Sequence, residues 1–370
     1  MNKKKILIVI QLMRRGGVEL VALNFARALD PEKYDITFYL QNPYENQDEE
    51  LAEEVRNNGF RILERPKEIT GYKKNYNYLV ELFKKEQFDV VHSHVMFFSA
   101  LVMLAAKKCN IGVRVAHSHA TKWNRKENFV FKIYKCAMRF ILNRFATDKL
   151  ACSDAAGAYL YGEREFNKNG RFIANGIETK KYAFNKNMRE KKRQEFSLAE
   201  IEILVGHIGS LYYIKNQTFL VDVFSKMLLK NPHIKLILVG EDFEDGKVLK
   251  KVQSMGLADK VIFAGQRNDI NELLNAMDIM IFPSLFEALP LSLIEAQASK
   301  LPCLISDSVT NQVKFNDNVD FMSLEKSADE WADWAFELLA LNREDVSITA
   351  LKDNYDISSS IKILDEIYNK

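Results

Sequence analysis

Short runs that are apolar at almost every position alternate along this chain with longer stretches in which apolar residues recur every three or four places. Continuous apolar runs suit strands buried on both faces, as in parallel sheets, and the longer spacing suits the helices that cover them. In the first half the pattern predicts strands over 5–11, 35–40, 89–92 and 113–117, with helices over 18–29, 75–86 and 99–108. A second set follows, with strands over 203–208, 235–240, 261–264, 279–282 and 302–306 and helices over 217–229, 247–255, 270–275 and 291–299. Two last helical stretches, 329–341 and 357–368, have no strand between them. The pattern thins over 167–187, where Gly170 and Asn175-Gly176 mark a connection. The fold class is therefore α/β, with two doubly wound domains. We expect domains at 1–175 and 176–350, and a closing segment, 351–370, that packs back across them.

Length agrees, since 370 residues exceed what a single core sustains. The formal net charge of +2 conceals an asymmetry: residues 1–180 hold 30 Lys and Arg against 21 Asp and Glu, and the remainder hold 22 against 29. Four widely spaced cysteines form no CxxC pair, which points to reduced thiols and a cytoplasmic setting rather than a disulfide framework or a zinc site. Lys3-Lys4-Lys5 before Ile6–Ile10 imitates a signal peptide, but the apolar run is short and reads as the first strand. No run reaches the roughly 18 apolar residues of a membrane span. Residues 122–149 carry eight Lys and Arg against two acidic residues, with Phe129, Ile133, Cys136 and Phe140 at helical spacing. Such a helix either lies on an anionic membrane surface or packs its apolar stripe on its own domain. No nucleic-acid motif accompanies the charge.

The richest stretch is Phe282 to Glu295, which sets Glu287 and Glu295 on either side of a turn into a helix opened by Pro290. The backbone N–H groups of Leu291 and Ser292 would face outward there and favour a phosphate, while the glutamates could accept from hydroxyl groups. Gly16-Gly17-Val18-Glu19 follows the first strand; it suits close approach to a ligand, or a plain tight turn, and is not the GxGxxG fingerprint. His92-Ser93-His94 and His117-Ser118-His119 lie past two predicted strands, where side chains face the crevice of an α/β sheet. Metal binding, substrate contact and core satisfaction are all open to them; no carboxylate or cysteine stands at ligand spacing. Lys215, in Gly206-His-Ile-Gly209 through Lys215-Asn216, is placed to neutralise a diphosphate.

Taken together, these segments, with Ala151-Cys-Ser-Asp154 and Ile173-Ala-Asn-Gly-Ile177, resemble the retaining glycosyltransferases of family four, especially bacterial exopolysaccharide- and capsule-assembly members. The resemblance spans nearly the whole chain. It implies the GT-B fold, two Rossmann-like domains facing a central cleft, with the acceptor on the first and a nucleotide-sugar donor, expected to be UDP-linked, on the second. It implies no cofactor and no metal, and a saccharide or lipid-linked acceptor; the basic segment 122–149 adds to the cytoplasmic setting the expectation of a peripheral place on an anionic surface, the inner face of the plasma membrane. Carried onto this sequence, it makes His119, Lys215 and Glu287 the catalytic candidates. Gly16, Gly17, Ser210, Lys215, Asn216, Arg267, Leu289, Pro290, Leu291, Ser292 and Glu295 would bind the donor, and His94 and His117 would lie on the acceptor side, with His117 a second choice for the sugar contact of His119.

One position departs from the family pattern. Members place Arg five residues before the Lys, where this chain has Ser210, and Ala288 replaces a usual Gly. We expect another cation, Arg267 or Arg15, to compensate. The rival reading is a catalytically weak, sugar-nucleotide-binding relative that partners an active transferase; a nucleotide-sugar epimerase on the same fold is a further alternative.

Overall fold

The computed structural model describes residues 3–43, 47–120, 128–287 and 289–370. Ala288 and the start of the basic segment, 122–127, lie outside the described residues. The chain divides into two compact units, residues 1–176 with 357–370, and residues 177–356.

The first unit is built on a parallel sheet of β1 (Lys4–Ile10), β2 (Tyr34–Leu40), β3 (Arg61–Glu64), β4 (Val90–Ser93), β5 (Val113–Ser118), β6 (Asp148–Ala151) and β7 (Gly170–Phe172), in the order β3-β2-β1-β4-β5-β6-β7. Ile6 to Ile10 are almost wholly buried because helices cover both faces of the sheet, which is why β1 reads as an unbroken apolar run. The second unit repeats the plan with β8 (Ile203–Ile208), β9 (Ile234–Val239), β10 (Val261–Gly265), β11 (Ile279–Phe282), β12 (Cys303–Ser306) and β13 (Val319–Met322), in the order β10-β9-β8-β11-β12-β13. Its core joins Val205, Leu236, Ile281 and Leu304 to Phe224 and Trp331 of the covering helices. In each sheet the order reverses beside the first strand, between β1 and β4 and between β8 and β11. Ligands of doubly wound sheets bind beyond the carboxyl ends of the strands at such a point.

The expected connection over 167–187 is shorter than its polar character implied. The helix Glu163–Asn169 and strand β7 occupy its first part, and the units part after Gly176. The expected closing segment, 351–370, also divides. The helix Thr349–Tyr355 belongs to the second unit and Ile357–Tyr368 to the first. The last helix is tied down within the first unit by Leu364 and Ile367, both fully buried, and by hydrogen bonds from Lys4 Nζ to the Tyr368 carbonyl (2.8 Å) and between Tyr34 and Asp365 (2.6 Å). Gly176 leaves room for it, since a Cβ there would meet the Ile357 backbone at 2.8 Å.

Candidate active site

In the first unit the two His-Ser-His runs end β4 and β5, neighbours in the sheet. Strand alternation sends the histidines of each run to one face and the serine to the other. The serines act structurally: Ser93 Oγ bonds Ser99 Oγ (2.8 Å) and Ser118 Oγ donates to the Ala156 carbonyl (2.7 Å). The four rings meet. His92 Nε2 lies 3.2 Å from His117 Nδ1, and His94 Nδ1 lies 2.8 Å from His119 Nε2. His92 Nδ1 is held by the Tyr368 hydroxyl at 2.6 Å, so the last helix reaches the centre of the cluster. Burial lowers all four pKa values, His92 to about 3 and His119 to about 4, with neighbouring rings adding to the shift except at His119. The rings are therefore neutral at pH 7, each with one donor and one acceptor nitrogen. His94 Nε2 and His117 Nε2 are buried without a hydrogen-bond partner among the described residues, and His119 Nδ1 makes no well-aligned bond although Asn175 lies close enough to oppose its shift, capacity that a hydroxyl-bearing ligand could use. His92, His94 and His117 also bring ring nitrogens within 4.8 Å of one another, a donor set of neutral imidazoles alone.

Gly16 and Gly17 stand where β1 turns into the helix Gly17–Ala28. A Cβ on Gly16 would come within 2.4 Å of Glu19 Oε2, so the glycine makes room for that buried carboxyl group, whose pKa burial raises. Gly17 has open space around it. Arg15 is committed to Asp48 (3.1 Å) and Glu54 (3.5 Å).

In the second unit, the loops after β8, β9, β11 and β12 are joined by main-chain contacts. Gly209 N–H donates to Val239 (2.8 Å), Leu211 N–H to Glu241 (2.7 Å) and Leu285 N–H to Ile214 (2.7 Å), and Glu287 bridges Val309. Lys215 ends the short 3₁₀ turn Tyr213–Lys215, and Asn216, in the left-handed region at φ 56°, starts the helix Gln217–Lys230. The Lys215 side chain lies across Gly209, where a Cβ would crowd its Cε at 3.1 Å. Its ammonium sits 4.9 Å from the Phe282 ring centroid and 2.6 Å from Glu287 Oε1. An ammonium has three donors, so the Glu287 bond leaves two for a ligand.

Leu289 and Pro290 are buried at the entry to the helix Leu291–Ala298, which has no side-chain cap, so the amides of Leu291 and Ser292 have no intrahelical acceptor. Glu295, one turn on, accepts from the Tyr182 hydroxyl at 2.8 Å; burial raises its pKa and that hydrogen bond lowers it. The result is a cation, two carboxylates and an open helix terminus at one switch point.

Ser210 has its carbonyl held by buried Gln217 (2.9 Å), whose amide also lies 3.3 Å from His207 Nε2. His207 donates from Nδ1 to the Ile281 carbonyl (3.0 Å) and is kept neutral by burial, its pKa lowered to about 4. Arg267 is bound by Asp269 (2.6 Å) and Glu195 (2.9 Å), and it follows β10, two strands away from β8. Tyr182, His207 and Gln217 support the site but were not among the residues expected from sequence. Gln217 was within reach, as the first helical residue after Lys215-Asn216.

Gly240 also belongs to this scaffold. At φ 147° it lies so close to the neighbouring loop that a Cβ would stand 2.3 Å from the Gly209 carbonyl oxygen. Gly240→Ala should destabilise the second unit by about 3 kcal/mol through backbone strain and overpacking. Urea denaturation checks this, and an unchanged midpoint would show that the loops can part freely.

Two parallel, doubly wound units whose polar residues gather at both switch points define the GT-B class of transferase. Two family models match in succession: "Glycosyltransferase Family 4" over residues 15–181 and "Glycosyl transferases group 1" over 188–349. The chain belongs to this glycosyltransferase family and is an enzyme of that kind. It is 29% identical to EpsF of Bacillus subtilis, over 100% of this chain and 97% of that one. It is 27% identical to the capsular polysaccharide biosynthesis glycosyltransferase CapH of Staphylococcus aureus, over 98% of each. Identity is 26% to an Escherichia coli UDP-Gal:alpha-D-GlcNAc-diphosphoundecaprenol alpha-1,3-galactosyltransferase, over 88% of this chain and 84% of that one. Among solved structures, Anabaena HepE in complex with UDP and glucose shares the fold, with a TM-score of 0.77 at 17% identity, covering 99% of this chain and 100% of that one.

Proposed function

We propose that this enzyme transfers a hexose from a UDP-linked donor to a lipid-linked or saccharide acceptor in polysaccharide assembly, with retention at the anomeric carbon and without a metal. The observation that carries the reading is the Lys215–Glu287 pair beside the uncapped start of the helix Leu291–Ala298, with Glu295 a turn beyond. Lys215 and the Leu291 and Ser292 amides would stabilise charge developing on the departing diphosphate. Glu295, oriented by Tyr182, would accept from ribose hydroxyls and Glu287 from the sugar. The leaving phosphate itself takes the acceptor proton, so no protein nucleophile is required. His119, with unused hydrogen-bonding capacity at Nδ1, would contact the transferred sugar. Support for the donor and acceptor classes comes from the E. coli relative's name and from HepE, which was solved with UDP and glucose. CapH is a glycosyltransferase of capsular polysaccharide biosynthesis, which supports the role in polysaccharide assembly.

A thermal-shift screen of nucleotide sugars tests the donor, since a ligand of the folded state raises apparent stability by mass action. We expect stabilisation by UDP and at least one UDP-hexose. Stabilisation by GDP or ADP sugars instead would overturn the nucleotide assignment.

Both cations expected to compensate for Ser210 are held by carboxylates. Ser210→Arg should therefore strengthen UDP binding on the order of tenfold, the lower end for one charge-assisted contact. Calorimetric titration checks this; equal or weaker binding would mean that the diphosphate is already fully matched. A wild type without turnover that Ser210→Arg rescues would instead favour the weak-relative reading.

A further inference from the structure

The last helix of the first unit starts a chain of hydrogen bonds whose direction can be worked out. Tyr368 is fully buried, and its hydroxyl has His92 Nδ1, at 2.6 Å, as its one partner among the described residues. His92 Nε2 in turn lies 3.2 Å from His117 Nδ1, with the two rings 7° from parallel. His117, stacked on Phe25, ends the chain, and its Nε2 is buried without a partner among the described residues.

Two directions satisfy these distances, and they differ in what they leave unpaired. A phenol has one hydrogen, and a neutral imidazole has one N–H and one lone pair. If the Tyr368 hydroxyl donates, His92 carries its hydrogen on Nε2 and donates it to His117 Nδ1, so His117 must carry its own hydrogen on Nε2. One group, that His117 N–H, is left over. If His92 Nδ1 donates to the Tyr368 oxygen instead, the phenol hydrogen is stranded in the core and His117 Nε2 becomes a bare acceptor, so two groups are left over. Unpaired buried polar groups are costly, which selects the first direction. Burial agrees with it: the Tyr368 pKa is raised, so the phenol keeps its proton, and both imidazoles stay neutral. The ligand class follows from the leftover donor. A neutral N–H among uncharged rings suits an uncharged hydroxyl oxygen, whereas a phosphate calls for a cation such as Lys215.

We propose that Tyr368 and His92 are positioning residues that hold the hydrogen of His117 on Nε2, where it is donated to a hydroxyl oxygen of the saccharide acceptor beyond the carboxyl ends of β4 and β5. The acceptor assignment rests on the transferase reading above; the direction of the relay does not.

Two-bond proton–nitrogen NMR spectra of protein labelled with ¹⁵N-histidine read the tautomers without donor or acceptor, because a bare ring nitrogen resonates far downfield of a protonated one. We expect Nε2–H for both His92 and His117 in the wild type at pH 7.5. His117 found with its hydrogen on Nδ1 would overturn the proposal, whether or not the enzyme transfers a sugar. Tyr368→Phe makes the two directions equal in unpaired groups, so His117 with its hydrogen on Nδ1 should then appear. The KM for a diphosphoundecaprenol-linked sugar should rise between about twofold, for equal tautomers, and about tenfold, for full reversal, with UDP affinity unchanged. In a His117→Gln background, whose amide carries its own donor, Tyr368→Phe should raise KM no further. An unchanged His117 tautomer or an unchanged KM in Tyr368→Phe would overturn the proposal. So would an equal rise in both backgrounds, which would mark Tyr368 as packing alone. A wild type without transfer would fail the transferase reading, and the acceptor assignment with it, whatever tautomers the spectra show.

Discussion

Lys215→Ala should weaken UDP binding on the order of 100-fold or more while leaving the fold intact. A charge-assisted hydrogen bond alone contributes about 1.5–3 kcal/mol, or roughly 10- to 150-fold. The expectation sits at the upper end because of Glu287. Lys215 neutralises that carboxylate at 2.6 Å. Without the ammonium, a diphosphate would meet an uncompensated negative charge as well as a missing donor. Glu287→Gln in the Lys215→Ala background should then recover part of the lost affinity but not all of it. Full recovery would reduce Lys215 to a counter-ion for Glu287, and no recovery would mean that Glu287 does not face the phosphates. Calorimetric titration of UDP into the wild type, both single variants and the double variant separates these terms, since coupled neighbours are not additive.

Acidification should unfold the first unit before the second. Four buried histidines in the first unit, His92, His94, His117 and His119, have folded-state pKa values lowered from 6.5, to about 3 and about 4 for His92 and His119, chiefly by burial; the second unit has His207 alone in that condition. The unfolded chain takes up protons as pH falls through 6.5, while the folded cluster does not. Stability from these groups is therefore complete above about pH 6.5 and falls as the pH drops toward 4. At pH 5.5 each such group costs on the order of 1 kcal/mol, so the cluster together costs several kcal/mol, a large part of a typical domain's stability. Amide exchange at pH 7.5 and 5.5 reads this directly. Protection in β4 and β5 should drop far more than in β8 and β11. Equal loss in both units would contradict neutral burial of the cluster. His117→Phe, beside the stacked Phe25 ring, should flatten the dependence by about one proton.

The strands of both sheets were legible because parallel strands covered on two faces must be apolar throughout, and Ile203–Ile208 and Ile279–Phe282 fall where the runs place them. The edge strands Arg61–Glu64, Gly170–Phe172 and Val319–Met322 were not, and neither was Asp148–Ala151. The edge strands are three or four residues long and partly exposed, and pairing with a neighbour rather than local sequence makes them strands; Asp148–Ala151 is buried, but Asp148 and Lys149 break its apolar run. The same limit applies to the site. Period-two alternation puts both histidines of each His-Ser-His run on one face, but the hydroxyl that holds His92 comes from Tyr368, far along the chain. Glu287, Lys215 and the helix opened by Pro290 carry local signals. Tyr182 carries none, because its role arises only from contact with Glu295. For the helix Phe129–Phe145 the spacing gave a stripe without saying which way it faced, since apolar residues occupy both sides: Phe131, Met138, Ile141 and Leu142 pack against the core of the first unit, and the stripe of Phe129, Ile133, Cys136 and Phe140 is exposed.

The most direct measurement is transfer from each UDP-hexose to a diphosphoundecaprenol-linked sugar, in buffer containing EDTA, with the product's anomeric configuration read by proton NMR. The expected result is UDP release with an α-linked product from an α-donor, undiminished by the chelator and lost in Lys215→Ala. An inverted product, transfer that requires an added divalent ion, or full activity in Lys215→Ala would contradict it.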